Sequence, residues 1–101
     1  MAEVSRILVV DDDPDIREVL RLLLSENYVV AEAPDGLAAI TYMKENPDTD
    51  LVVLDVMMPG KSGYDVCREI RASEGRVAVL MLSAKGEEID KVVGQIGRAH
   101  V

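Results

Sequence analysis

Residues 6–16 read R-I-L-V-V-D-D-D-P-D-I, and the break in the middle of that stretch decides the fold. Arg6 to Val10 is a short, β-branched run that is apolar at consecutive positions rather than alternate ones. Such a run fits a strand buried on both faces, as in a parallel sheet. It ends abruptly at Asp11-Asp12-Asp13. Asp13-Pro14 then opens a helix. Aspartate suits the N-cap, and proline tolerates the first helical position because its missing N–H had no partner there. Ile16, Val19, Leu20, Leu23 and Leu24 follow at helical spacing, with Arg17, Glu18 and Arg21 on the other face.

The alternation continues outward. Tyr28–Ala33 (Y-V-V-A-E-A) predicts a second strand, Pro34-Asp35-Gly36 a turn, and Asp35 the cap of a helix to about Lys44 that Asn46-Pro47 closes. Leu51–Val56 (L-V-V-L-D-V) predicts a third strand, apolar save for Asp55. Met57-Met58-Pro59-Gly60 forms a loop, and Ser62 with Asp65 resembles a capping box for a helix through Arg71. Val77–Leu82 (V-A-V-L-M-L) predicts a fourth buried strand that ends at Ser83. A last helix starts near Gly86, with Ile89, Val92 and Val93 on one side. The order β-α-β-α-β-α-β-α calls for a parallel sheet with right-handed crossovers and helices on both faces.

The 101 residues suit one small domain. Its core must be aliphatic, because 49% of residues are hydrophobic and only 3% aromatic. A formal charge of −8 argues against nucleic acid or an anionic membrane as a direct partner of this segment. Met1 to Arg6 is polar and too short for a signal peptide, and no apolar stretch could span a bilayer, so the expected location is cytoplasmic. The one cysteine, Cys67, cannot form an internal disulfide, and nothing suggests a zinc site.

In an open α/β sheet, ligands bind beyond the carboxyl ends of the strands, where the strand order switches. Asp11 and Asp12 end the first strand, Asp55 lies near the end of the third, and Ser83 ends the fourth. If strands one, three and four are neighbours, three carboxylates and a hydroxyl converge at one edge. Carboxylates that close repel, so a proton or a cation must relieve them. An oxygen-only cluster suits Mg²⁺, and a carboxylate can act as a nucleophile towards phosphorus.

Three segments carry a resemblance: I-L-V-V-D-D-D-P-D-I (Ile7–Ile16), L-V-V-L-D-V-M-M-P-G (Leu51–Gly60) and V-L-M-L-S-A-K-G (Val79–Gly86). In order and spacing they resemble the signature segments of bacterial response-regulator receiver domains, over Arg6 to about Gly94. The resemblance implies a flavodoxin-like, doubly wound parallel sheet of order 2-1-3-4. It implies that Asp55 is the phosphoacceptor and that Asp11 and Asp12 organise Mg²⁺, with Asp55 and the main-chain carbonyl of Met57 as further ligands. The Ser83 hydroxyl and the backbone N–H groups of Met57 and Ala84 would hold the phosphoryl oxygens. The implied donor is a phosphohistidine on a sensor histidine kinase, and the implied output is a partner or domain that the sequence does not identify. Asp13 and Asp15 are read as cap and first-turn charges. Lys85 is read as surface, since the family's lysine belongs to a later strand. Met57 and Met58 shape the loop, and Cys67 is a small helix residue facing partly inward.

The pattern departs from the family after Gly94. The family's fifth strand, with its lysine, and its fifth helix are not found, so the reading is an incomplete receiver over 1–94. Ile96-Gly97-Arg98-Ala99-His100-Val101 resembles one reading frame of a common sequencing-adapter oligonucleotide, which also accounts for Gln95. On this reading 95–101 is a non-native tail, and His100 is no phosphorelay residue; re-sequencing the gene across Gly94 tests it. Without a fifth strand, 77–82 would become an edge prone to self-association. Without the lysine, phosphoryl binding would lose a charge-assisted contact.

Three rival functions compete with this one. An aspartyl-phosphate phosphatase wants a second acid two residues after its nucleophile, where Met57 stands. A nucleotide or flavin fold wants a glycine-rich loop after the first strand, where Asp-Asp-Asp-Pro stands. A pseudo-receiver or interaction fragment that binds partners without phosphorylation is opposed by the intact acidic set, but the missing fifth strand and helix keep it open as the first alternative.

Overall fold

A computed structural model of the chain describes residues 5–58, 60, 62–73 and 77–82. Seven elements alternate along it: β1 (Arg6–Val10), α1 (Pro14–Leu24), β2 (Val29–Ala33), α2 (Gly36–Glu45), β3 (Leu51–Asp55), α3 (Gly63–Ser73) and β4 (Ala78–Leu82). The strands form one sheet of order β2-β1-β3-β4, and every pairing is parallel. This is the doubly wound order expected from the sequence. The helix expected from Gly86 and the tail at 95–101 lie outside the described residues.

Side chains of successive strand residues point to opposite faces, so each central strand feeds two layers. Leu8, Val10, Val52 and Leu54 pack with Ala39 and Met43 of α2 and Val66 and Ile70 of α3. Ile7, Val9 and Val53 pack on the other face with Leu20 and Leu24 of α1. Double coverage is why β1 and β3 read as unbroken apolar runs.

The helix ends follow the capping chemistry. Asp13 is the N-cap of α1, its Oδ1 accepting from Asp15 N at 2.9 Å, with Pro14 in the first turn. Asp35 caps α2 by accepting from Ala38 N at 2.8 Å. Ser62 Oγ accepts from Asp65 N at 3.3 Å ahead of α3.

Three expectations shift. Tyr28 falls before β2 because its N–H still bonds Leu24 O at the end of α1, at 3.0 Å. The apolar stripe of α1 is only partly covered. Leu20 and Leu24 are buried and Ile16 half-buried, whereas Val19 is 40% and Leu23 47% exposed. Ile16, Leu20 and Leu24 lie four residues apart in one row along the helix, and that row meets the sheet; Val19 and Leu23 form the next row. β4, expected to be buried, keeps only Leu82 fully covered, with Ala78 exposed and Val79, Leu80 and Met81 half-buried. Among the described residues it pairs on one side alone, with β3.

Candidate functional site

Register brings the acids together. Val10 of β1 is level with Leu54 of β3, so the next residue on each strand, Asp11 and Asp55, leaves the sheet side by side. Both are 1% exposed, whereas Asp12 is exposed. One carboxylate oxygen from each of Asp11, Asp12 and Asp55 lies within 4.8 Å of the others. The three acids singled out from the sequence therefore share one place at the carboxyl edge.

Local bonding holds each acid in place. Asp11 N donates to Ala33 O at 3.2 Å, which extends the β1–β2 ladder by one residue. Asp11 Oδ1 accepts from Asp13 N at 2.9 Å, and Asp13 in turn caps α1. On β3, Asp55 Oδ1 accepts from Met57 N at 3.0 Å. The N–H of Met57 is thus aimed at the Asp55 carboxylate, while its side chain is 70% exposed. The two methionines divide: Met57 stands in the open, and Met58 is buried against the α2–α3 core. Cys67 is half-buried in α3 and packs against the same core, as expected.

The start of α3 presses on the acid from behind. Gly63 N donates to Val56 O at 3.1 Å. A Cβ added at Gly63 would lie 2.5 Å from Asp55 O and 2.7 Å from Val56 Cα, so only glycine permits this approach.

Two contributors were not found in the sequence. Arg17, assigned to the open face of α1, has a side chain only 17% exposed. Its Nη1 donates to the main-chain oxygen of Asp11 at 2.6 Å, and its Nε to Glu32 Oε1 on β2 at 3.2 Å. Gly63 was not singled out; it lies between Ser62 and Asp65, which alone were read there, as a capping box. Neither role shows in helical spacing: the pairing of Arg17 with Glu32 depends on β2 lying beside β1, and the role of Gly63 depends on how closely the start of α3 returns to the end of β3.

Ser83, Ala84 and Lys85 lie outside the described residues. Leu82, the last residue of β4, is level with Asp55 across β3–β4. The edge as described holds three hard oxygen donors on two adjacent strands. Such a set can take a divalent cation, which would relieve their mutual repulsion. No helix among the described residues is long and apolar enough to cross a membrane.

The sequence profile described as the response regulator receiver domain matches residues 7–99. The DNA-binding response regulator MtrA of Mycolicibacterium smegmatis is 48% identical over 91 residues, covering 88% of this chain and 39% of that protein. The transcriptional regulatory protein ResD of Bacillus subtilis is 47% identical over 91 residues, covering 89% of this chain and 37% of that protein. The chain therefore spans under two-fifths of the length of these relatives. Among solved structures, the response regulator TrrA of Thermotoga maritima, in complex with Mg(2+)-BeF, aligns with a TM-score of 0.74. It is 36% identical, over 91% of this chain and 80% of that one. A receiver domain from Clostridium thermocellum aligns at 0.77, with 29% identity over 94% and 76% of the two chains.

Proposed function

The chain belongs to the receiver-domain family of response regulators, the phosphoacceptor switch modules of two-component systems, and on that premise we propose that its phosphoacceptor is Asp55. The observation that carries the reading is the position of this buried carboxylate, at the carboxyl end of β3 and in one cluster with Asp11 and Asp12.

A carboxylate oxygen of Asp55 attacks phosphorus of a phosphohistidine on a sensor histidine kinase. The P–O bond to Asp55 forms as the P–N bond breaks, and the imidazole leaves with the bonding pair. Asp11, Asp12, Asp55 and the main-chain carbonyl of Met57 are the groups that would hold Mg²⁺. When bound, that ion neutralises negative charge on the transferring group. The Met57 N–H, already pointed at the Asp55 carboxylate, is placed to donate to a phosphoryl oxygen. Ala84 N–H and the Ser83 hydroxyl complete the set of donors. The complex of TrrA with Mg(2+)-BeF supports this choice of ion.

The chain's own residues supply this chemistry, so a small phosphodonor suffices in place of the kinase. The relatives' names point to a DNA-binding, transcriptional output. With a formal charge of −8, this segment would switch such an output rather than contact DNA itself. The setting in which it meets its kinase is the cytoplasm.

Incubation with Mg²⁺ and acetyl phosphate, followed by intact-mass measurement, tests the assignment. The expected result is one added phosphoryl group on the unaltered chain and none on Asp55→Asn. Phosphorylation of Asp55→Asn would remove Asp55 from the role.

A further inference from the structure

We propose that Arg17 is a positioning residue for the acidic cluster: it fixes the peptide plane between Asp11 and Asp12 and so sets how the two acids present a cation site. The inference rests on the metal reading above and goes beyond it. Asp11 and Asp12 are adjacent, yet one is 1% exposed and the other open to solvent. The plane of the peptide joining them decides where the second carboxylate stands relative to the first. That plane carries the carbonyl oxygen of Asp11, and Arg17 Nη1 bonds it at 2.6 Å.

Arg17 is itself held at both its backbone and its guanidinium. Its backbone N–H bonds Asp13 O at 3.2 Å as part of the first turn of α1, and its Nε pairs with Glu32 Oε1 at 3.2 Å. Glu32 is level with Val9 on the neighbouring strand, and its Oε2 is also engaged, by Arg21 Nε at 3.3 Å. Arg17 thus links α1, β2 and the end of β1. A rigid fork can serve two acceptors at once, which a lysine ammonium at this distance does less well.

Charge and position predict opposite signs, and that makes the inference decidable. A cation near the cluster repels a divalent ion, so by Coulomb's law alone removing Arg17 should tighten metal binding. Loss of positioning should weaken it, by roughly tenfold on the scale typical of groups that orient metal ligands. The double substitution Arg17→Met with Glu32→Gln removes one charge of each sign. It therefore leaves the local net charge as it was, and Glu32→Gln alone controls for the lost pairing of Glu32 with Arg21.

The test is Mn²⁺ titration of the full chain by electron paramagnetic resonance, at a temperature where thermal melts show each variant folded. Mn²⁺ shares the preference of Mg²⁺ for octahedral oxygen ligands. The expected result is weaker binding in Arg17→Met and still weaker binding in the double variant, where no gain in charge offsets the loss, with Arg17→Lys between Arg17→Met and the unaltered chain. Unchanged or tighter binding in Arg17→Met overturns the inference and leaves the metal reading standing. If Arg17→Met does not fold, Arg17→Lys decides, and an affinity equal to that of the unaltered chain overturns the inference. If the unaltered chain binds no Mn²⁺, the metal reading and this inference fall together.

Discussion

At the scale of single residues, the cluster sets local stability against function. Asp11 and Asp55 are buried within reach of a third carboxylate, and like charges so placed repel. Asp11→Asn keeps an oxygen able to accept from Asp13 N while removing one charge. Without metal it should raise stability by about 1 kcal/mol, a rise of about 4–8 °C in melting temperature for a domain of this size. Mg²⁺ should raise the melting temperature of the unaltered chain, because it binds only the folded state. An equal rise in Asp12→Ala would remove Asp12 from the ligand set. Gly63→Ala sets a Cβ against the Asp55 backbone and should cost about 1–3 kcal/mol as an overpacking change. Its phosphorylation by acetyl phosphate should slow as well, and an unchanged rate would show that the Asp55 backbone tolerates the shift. The acids were legible in the sequence because a carboxylate ending an apolar strand is conspicuous. Arg17 and Gly63 were not, because a charged helix residue looks the same wherever it points and a glycine at a helix start looks the same whatever backbone it abuts.

At the scale of elements, legibility followed coverage. β1 and β3 were read correctly because strands buried on both faces leave no room for a polar residue until they reach the edge. Leu54, fully buried between α2 and α3, belongs to that frame. Leu54→Ala should destabilise by about 2–5 kcal/mol, measurable by urea denaturation, and a loss below 1 kcal/mol would mean the core collapses around the gap. α1 and β4 were read less well. Periodicity tells which side chains are apolar but not how far a neighbour extends over them, so Val19 and Leu23 were assigned to a face that the sheet only half reaches. Strand ends moved by a residue, as at Tyr28, where a bond back to Leu24 keeps the chain with the helix.

At the scale of the whole molecule, the order β2-β1-β3-β4 makes the site, because it sets the ends of β1 and β3 side by side. No periodicity contains that order; it came from the resemblance. The same order leaves β4 paired on one side among the described residues, with half-buried aliphatic side chains along it. A second copy pairing along 77–82 would satisfy its backbone groups. Sedimentation velocity should then show larger species as concentration rises, reduced by Leu80→Lys; a single monomeric boundary at every concentration would rule this out. The chain has one cysteine. Cys67 sits on α3, whose first residue, Gly63, is hydrogen-bonded to the backbone next to Asp55. Any chemical label directed at thiols therefore attaches at one place, on the helix that abuts the phosphoacceptor. The rate of that labelling is a built-in gauge of how firmly α3 is seated, readable with no introduced probe.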